Sequence, residues 1–593
     1  MSIVDEVKAL TAKALEDLYK VSFYADDIIV TTTKPEFEGD FTVVLFGLLK
    51  TLKLKPEVLG EQLGNYFIHN TTEFFTRFNV IKGFLNLTIA DEVVHQLLGQ
   101  KPKNTGLKNN EAKTQKVVVE YSSPNTNKPL HLGHLRNNFL GWSIAEILKS
   151  RGKDVIKTCI VNDRGVHISK SMIAWKDFAG GATPDSTGVK GDHFVGDYYV
   201  RFNDEYKEEV AALIETGTPK EVAEKEAPLM KKAQQMLVNW ENGEPEVMEL
   251  WKKMNSWVYA GFEETYKRIG TDFQKSYYES ETYLLGRQFV EQGLQKGVFF
   301  RKEDGSVWID LTAEGLDEKL VMRKDGTSVY ITQDLGLAHQ KYDEFGYDQS
   351  IYVIADEQNY HMKVLKLILK KLDMPYADGI YHLSYGMVEL PSGRMKSREG
   401  TVVDADDLIE EMVKVAANKT EESGKVKDFT TGELAELYDT IALGALKFFL
   451  LRVDPKKKMI FNPEESIDFH GFTGPFIQYT HARIKSILRK ESPALATVST
   501  VPSPLLKLEK ELLLLIDQYD ATVKQAALEF NPSLIAIYAF TVAKTYNSFY
   551  AEHSVMNAET GEKKQLRLGI CQATAVVIKS SMHLLGIRVP EQM

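Results

Sequence analysis

Between residues 116 and 163 the chain changes hydrophobic period twice, and this restricts its fold more than any other feature. KVVVEY (116–121) is a β-branched run of the kind that forms a pleated, buried strand. A Ser/Pro/Asn loop follows. From about residue 132 to 150, Leu135, Phe139, Trp142, Ala145 and Leu148 then recur at helical spacing. DVIKTCIVND (154–163) returns to strand grammar. Strand, loop, helix and strand at this spacing make a βαβ unit, which commits the region to a parallel sheet. SIYVIAD (350–356) and a helical stretch over 359–372 continue the pattern.

The flanks read differently. Residues 1–108 look like a small α+β unit, with helix-like stretches at 41–52 and 57–69 and strand-like pieces at 74–80 and 84–89. The polar run KPKNTGLKNNEAKTQK (101–116) reads as a linker. The α/β region then spans 109–415, with a charged, helical insertion at about 175–265. From about 405 the strands stop. Helical patterns at 405–417, 433–452, 475–490, 505–529, 533–552 and 565–585 make 416–593 an α-helical bundle. The fold class is therefore multidomain α/β: a Rossmann-type parallel sheet between a small α+β unit and a helical bundle.

Composition excludes several classes. A chain of 593 residues that is 43% hydrophobic and 26% charged is neither disordered nor fibrous. Cys159 and Cys571, the two cysteines, lie too far apart for a disulfide scaffold or a Cys-x-x-Cys zinc site. No run approaches 18 apolar residues, and the charged start has no signal-peptide core. No membrane partner and a cytoplasmic location are expected. The net charge of −11 argues against a surface coated for nucleic acid, yet residues 451–593 hold 17 Lys and Arg against 14 Asp and Glu. That balance admits either a polyanion partner at the C-terminal end or a chance excess of a few charges.

The chemistry concentrates in EYSSPNTNKPLHLGHLRNN (120–138), where the first strand meets its helix and open α/β sheets bind ligands. His131 and His134 are one helical turn apart, so they share a face. Gly133 between them admits a close ligand. The helix N-terminus favours phosphate, and two imidazoles with Lys128 add donors for a transferring phosphoryl group. A second loop, GRMKSREG (393–400), follows a strand-like segment and carries Arg394, Lys396 and Arg398, cations able to clamp a pyrophosphate leaving group. Alone, such a turn is usually a solvated surface loop.

SPNTNKPLHLGH resembles the "HIGH" loop of class I aminoacyl-tRNA synthetases in the form typical of the arginyl enzymes. The likeness continues through VND-R-G (161–165), KGDHFVGDYYV (190–200), RKDGTSVYITQDLG (323–336), IADEQNYHMK (354–363), GRMKSREGT (393–401), GPFIQYTHARIKSILRK (474–490) and LLGIRVPEQM (584–593). It implies arginine–tRNA ligation: ATP, L-arginine and tRNA(Arg) give arginyl-tRNA through an arginyl-adenylate, with activation that needs bound tRNA. Mg²⁺ is expected to arrive with ATP, with no protein metal site, and the chain is expected to be a monomer. Loop 393–400 resembles the family's mobile "KMSKS" loop, so Met395, Ser397 and Arg398 join Arg394 and Lys396 around ATP. It departs from the general pattern, since Ser397 stands where a second lysine would be. Many arginyl enzymes share this gap, and Lys128 is expected to supply the charge.

The resemblance also places the amino acid. Tyr330 and Asp334 match the positions that hold the arginine side chain, and Glu279 is a second carboxylate for its guanidinium. Ser123, Asn125 and Gln358 match positions around the α-amino end, and His361 follows Gln358 by one turn. The C-terminal bundle resembles the DALR anticodon-binding domain, with Gln478, Tyr479, Arg483, Asn547 and Phe549 as candidates to meet RNA bases. The N-terminal unit resembles the family's additional domain, which contacts the tRNA elbow, with Phe84 and Asn86 on its contact strand. Two rivals share some of these features. A different class I synthetase or a nucleotidylyltransferase would use the same loop, and a non-catalytic RNA-binding paralogue would have lost it.

Overall fold

The structure, a computed structural model, describes residues 2–99, 114–389, 391, 403–422, 429–490 and 504–593. Its central layer is a five-stranded, all-parallel sheet in the order Ile380–Tyr385, Gln349–Ala355, Lys116–Glu120, Asp154–Val161, Lys275–Tyr278. The chain enters at the middle strand, winds outward to one edge, and returns to fill the other side. Winding reverses between Lys116–Glu120 and Gln349–Ala355, so a crevice opens at the C-terminal ends of those strands.

The helix after the first strand forms over Leu132–Ser150. It is not the one-sided helix that its apolar stripe suggests. Arg136, Asn137, Asn138, Gly141 and Ser143 are buried as well. One side lies on the sheet, where a Cβ at Gly141 would come within 2.3 Å of the Tyr121 ring, so only glycine permits this approach. The other side meets the C-terminal bundle: Ser143 Oγ donates to Leu584 O at 2.7 Å.

Between the second and edge strands the chain builds helices Val166–Phe178, Gly191–Glu215, Pro228–Glu241 and Pro245–Ile269. A small antiparallel sheet of Phe300–Arg301, Val307–Ile309 and Lys319–Met322 follows the edge strand.

The N-terminal unit is a four-stranded antiparallel sheet, in the order Val30–Thr32, Phe41–Val44, Phe84–Ile89, Phe75–Ile81. Helix Pro56–Asn70 packs closely on it, since a Cβ on Gly64 would stand 2.2 Å from the Phe78 ring. The stretch 41–52, read as helical, splits. Phe41–Val44 is a strand because its β-branched residues find a partner in Phe84–Ile89, and only Phe46–Leu52 is helix.

Two further expectations are corrected. Strands do not end near 405: Met459–Ile460 pairs in parallel with Val388–Glu389. The stretch 505–529 is not one helix but Lys507–Asp517 and Tyr519–Glu529, broken at Gln518. The rest of the C-terminal part is helical, chiefly Ala405–Glu422, Thr431–Leu451, Gly474–Arg489, Ser533–Glu552 and Gly561–Leu584.

Candidate active site and RNA-facing bundle

Lys128, His131, Gly133 and His134 lie together at the C-terminal end of the middle strand. His131 is the N-cap of helix Leu132–Ser150. Its Nδ1 accepts from Gly133 N–H at 3.1 Å, and His134 Nδ1 accepts from His131 N–H at 3.1 Å. The two rings therefore form a reciprocal cap, with centroids 3.8 Å apart. A ring whose Nδ1 accepts carries its proton on Nε2 when neutral. Both rings are neutral: burial, then Lys128, pushes His131 down to about 3. Burial, then His131 and Lys128, holds His134 well below the usual histidine range. The site thus presents two imidazole N–H donors and one ammonium, itself lowered by burial. A Cβ on Gly133 would stand 3.0 Å from the His131 ring, so glycine here also leaves that ring its position.

The surrounding loop is held from three sides. Ser122, at φ 62°, donates its N–H to Asn137 Oδ1 at 2.6 Å, and Asn138 Nδ2 reaches Ser122 Oγ at 3.2 Å. Asn137 also donates to Val353 O in the neighbouring strand at 2.7 Å. Asn125 pairs with Asn162 as a parallel bridge. On the far side His131 pairs with Asp404: Leu132 N donates to Val403 O at 3.1 Å and Ala405 N to Leu130 O at 3.0 Å. Sequence reading missed Ser122, Arg136, Asn137 and Asn138. Their signal was available: three consecutive polar residues, RNN, on a helix with so much apolar surface need buried partners.

The residues expected to hold arginine come from the turn after the edge strand, helix Tyr330–Phe345 and the end of the fourth strand. Asp163, almost fully buried after the second strand, accepts from Ser280 N–H (2.8 Å), Ser280 Oγ (2.7 Å) and Tyr259 OH (3.0 Å). This fixes the turn that carries Glu279. Burial raises Glu279 to about 7, with Arg164 opposing and Asp163 and Asp334 adding to the rise. Glu279 and Asp334 are therefore close enough to feel each other's charge. Asp334, on helix Tyr330–Phe345, accepts from His361 Nε2 at 2.5 Å, a bond that raises the His361 pKa. Tyr330, one turn before Asp334, is 75% exposed. Gln358 and Ser123 are exposed at the ends of the fourth strand and the first loop, and Asn125 is half-buried. Arg394, Met395, Lys396, Ser397 and Arg398 lie outside the described residues.

With this geometry, comparison with known proteins is decisive. A family profile for "tRNA synthetases class I (R), catalytic domain" matches residues 93–462, one for the arginyl tRNA synthetase N-terminal domain matches 5–89, and one for the DALR anticodon binding domain matches 477–593. An arginine–tRNA ligase of Bacteroides thetaiotaomicron is 50% identical over 598 residues, covering 100% of both chains. The chain belongs to the arginyl-tRNA synthetase family. One of Flavobacterium psychrophilum is also 50% identical, over 607 residues and 100% of both chains. The fold is shared with the Thermus thermophilus arginyl-tRNA synthetase, at TM-score 0.77 and 23% identity over 99% of each chain. The class I catalytic domain, the family's N-terminal domain and the helical DALR domain are all present.

In the DALR bundle the structure sorts the RNA candidates. Tyr479, Arg483 and Asn547 converge from helices Gly474–Arg489 and Ser533–Glu552. Arg483 donates to Asn547 Oδ1 and lies over the rings of Tyr479 (4.9 Å) and Tyr550 (5.4 Å). Tyr550 is 40% exposed. Gln478 and Phe549 do not join this platform. Both are fully buried, and Gln478 Nε2 donates to Thr440 O (3.0 Å) and Arg588 O (2.8 Å), which clamps the C-terminal tail. Asn86 is likewise internal, bonded to Thr42 (2.6 Å) and Asn79 (2.7 Å): it lies on the face opposite the core residues Leu85 and Leu87, where its cross-strand partners Thr42 and Asn79 and the nearby Gly39 cover it. Phe84 is partly exposed and packs edge-on against Phe46.

Proposed function

We propose that this arginine–tRNA ligase holds ATP over Lys128, His131, Gly133 and His134 and takes the guanidinium of L-arginine between Glu279 and Asp334. The protein is an aminoacyl-tRNA synthetase, with tRNA(Arg), ATP and L-arginine as its partners. What supports the site assignment is one pairing: a neutral, donor-presenting histidine cap and Glu279, electrostatically coupled to Asp334, follow the C-terminal ends of two strands of the same parallel sheet.

In the first step the arginine carboxylate attacks the α-phosphate in line, giving arginyl-adenylate and pyrophosphate. The Nε2–H groups and Lys128 stabilise negative charge as it shifts onto the phosphates, and neutral rings do so without giving up a proton. Arg394 and Lys396, with Met395, Ser397 and Arg398, would clamp the leaving pyrophosphate. Ser123, Asn125, Tyr330 and Gln358 would orient the amino acid. In the second step the terminal adenosine hydroxyl of tRNA attacks the adenylate.

Mg²⁺ demands hard oxygen ligands, and the phosphate loop offers nitrogen donors and an ammonium. The metal would therefore ride on the triphosphate and neutralise its charge.

Tyr479, Arg483 and Asn547 form a base platform, and Phe84 a contact for the tRNA elbow. The division of labour is 1–108 for the elbow, 109–415 for catalysis and 416–593 for the stem and anticodon. The protein would act as a cytoplasmic monomer.

Charging total tRNA with each amino acid in turn tests the reading. Arginine alone should be transferred. Transfer of another amino acid, or tRNA binding without ATP consumption, refutes it.

A further inference from the structure

Helix Gly191–Glu215, in the insertion, lies against the phosphate loop by two routes that the mechanism above does not use. The first is direct. Gly196 packs on Pro129, between Lys128 and His131, so closely that a Cβ would come 2.8 Å from the proline ring. The second runs through charge. His193 Nε2 donates to Asp406 Oδ2 at 3.1 Å and stands 3.6 Å from Asp404 Oδ2. Lys190 Nζ sits among Asp406 (2.7 Å), Asp192 (3.1 Å) and Thr265 Oγ1 (2.6 Å). Thr265, from helix Pro245–Ile269, also donates to Asp406. Asp404 Oδ1 accepts from the N–H groups of Asp406 and Asp407, so it caps helix Ala405–Glu422. The backbone flanking Asp404 is the segment that pairs with Leu130 and Leu132 on either side of His131. A cleft of about 210 Å³ joins the partners, lined among others by Lys128, His131, His193 and Asp404.

We propose that His193 and Lys190 are positioning residues for His131: by clamping Asp404 and Asp406 they hold the backbone bridge that orients the histidine cap.

The clamp is charged on both sides. The hydrogen bond to Asp406 raises His193 to about 8 against the opposing effect of burial, and Asp404 and Asp192 add to the rise. Asp406 is half-buried, which alone would raise it, yet the bonds from His193 and Lys190 hold it well below the usual carboxylate range. Asp192 is fully buried and set against Gly261, where no side chain larger than hydrogen fits. The insertion end of the clamp is therefore rigid, and displacement would fall on the Asp404 side.

The inference rests on His131 acting at ATP, so the test separates the two ideas. Full-length His193→Ala, His131→Ala and the double variant are compared by ATP–pyrophosphate exchange with tRNA present, alongside tRNA affinity and arginine KM. His193→Ala should lower kcat roughly tenfold to a hundredfold, the range for a catalytic group displaced by an ångström or less. tRNA affinity and arginine KM should hold. The double variant should be no slower than His131→Ala alone, and His193→Gln, which keeps a donor, should recover part of the rate. Asp404→Asn, which keeps the capping oxygen, provides the same cycle if His193→Ala fails to fold. Multiplicative losses in the cycle, or a glutamine variant as slow as alanine, overturn the proposal. A normal rate for His131→Ala alone would instead overturn the site assignment.

Discussion

Lowering the pH from 8 to 6 should weaken arginine binding chiefly through Glu279. Its carboxyl is raised from 4.5 to about 7, chiefly by burial. Above pH 7 it is ionised and ready for a guanidinium, and below pH 7 the unliganded site binds a proton instead. A bound guanidinium at hydrogen-bonding distance opposes burial and draws the pKa back toward its ordinary value. If it restores that value fully, the gap of 2.5 units between 7 and 4.5 makes arginine binding roughly 300-fold weaker at the acid plateau. The arginine KM should therefore be level above pH 7.5 and rise about tenfold per unit below 7. His131, pushed down to about 3, does not titrate over this range, so any change in turnover at saturating arginine reports the His193 clamp, raised to about 8, and not the histidine cap itself. The assay is tRNA-dependent pyrophosphate exchange at saturating MgATP, with Glu279→Gln as control. That variant should start with a high KM and lose most of the pH dependence, leaving only what the His361–Asp334 pair contributes. It should also be the more stable protein at pH 8: a carboxylate pKa raised in the fold removes stability as pH climbs from 4.5 to 7. A flat KM in the parent protein, or an unchanged slope in the glutamine variant, would refute the assignment of Glu279 to the guanidinium.

Other outcomes follow from the same structure. His134→Ala should slow adenylation by roughly 10²–10³-fold while leaving tRNA affinity near normal, because it removes a donor preset for developing charge; rapid-quench measurement of adenylate formation decides. Asp334→Asn should raise the arginine KM roughly tenfold to a hundredfold, with the ATP KM little changed; equal effects on both would move Asp334 out of the amino-acid pocket. Gly141→Ala should lower the melting temperature. Its Cβ would meet the buried Tyr121 ring at 2.3 Å, and overpacking of about 1–3 kcal/mol outweighs a helix-propensity gain of about 1 kcal/mol; an unchanged or higher melting temperature counts against that packing. Tyr550→Ala should weaken tRNA binding by about 1–3 kcal/mol in filter-binding assays, the loss of one base stacked on that ring; unchanged binding would take Tyr550 out of the RNA platform.

The sheet and the histidine-bearing loop at its end were legible because both depend on local pattern. β-branched strands, a helix at regular spacing and His-x-Gly-His at its start are written in consecutive residues. What stayed hidden depends on partners remote in sequence. Phe41–Val44 reads as helical until Phe84–Ile89 supplies its ladder, and Met459–Ile460 is a strand only because Val388–Glu389 lies beside it. The RNA candidates divide for the same reason. Gln478 and Tyr479 are adjacent, but one faces Thr440 and Arg588 in the interior and the other faces Arg483. Helical phase relative to the bundle axis decides which of them meets solvent, and it cannot be read from residue types that suit both positions.

The burial of helix Leu132–Ser150 on all sides bears on how a protein of this size keeps its ends in register. Its first turn carries the histidine cap, while Arg136 reaches back to Pro455 O (3.2 Å) and Lys457 O (2.8 Å), and Ser143 holds Leu584 O. Lys447, from helix Thr431–Leu451, donates to Gly586 O at 2.6 Å and lies 5.4 Å from the Phe139 ring. Burial, together with nearby Arg588, lowers Lys447 to about 7 against the opposing charge of Asp439. The C-terminal tail that Gln478 and Lys447 clamp thus lies on the same helix that carries His131 and His134. Close-packed interiors do not deform continuously. A shift of the bundle by an ångström must therefore repack this helix or break these bonds, so the geometry of the histidine cap depends on the seating of the anticodon-binding domain.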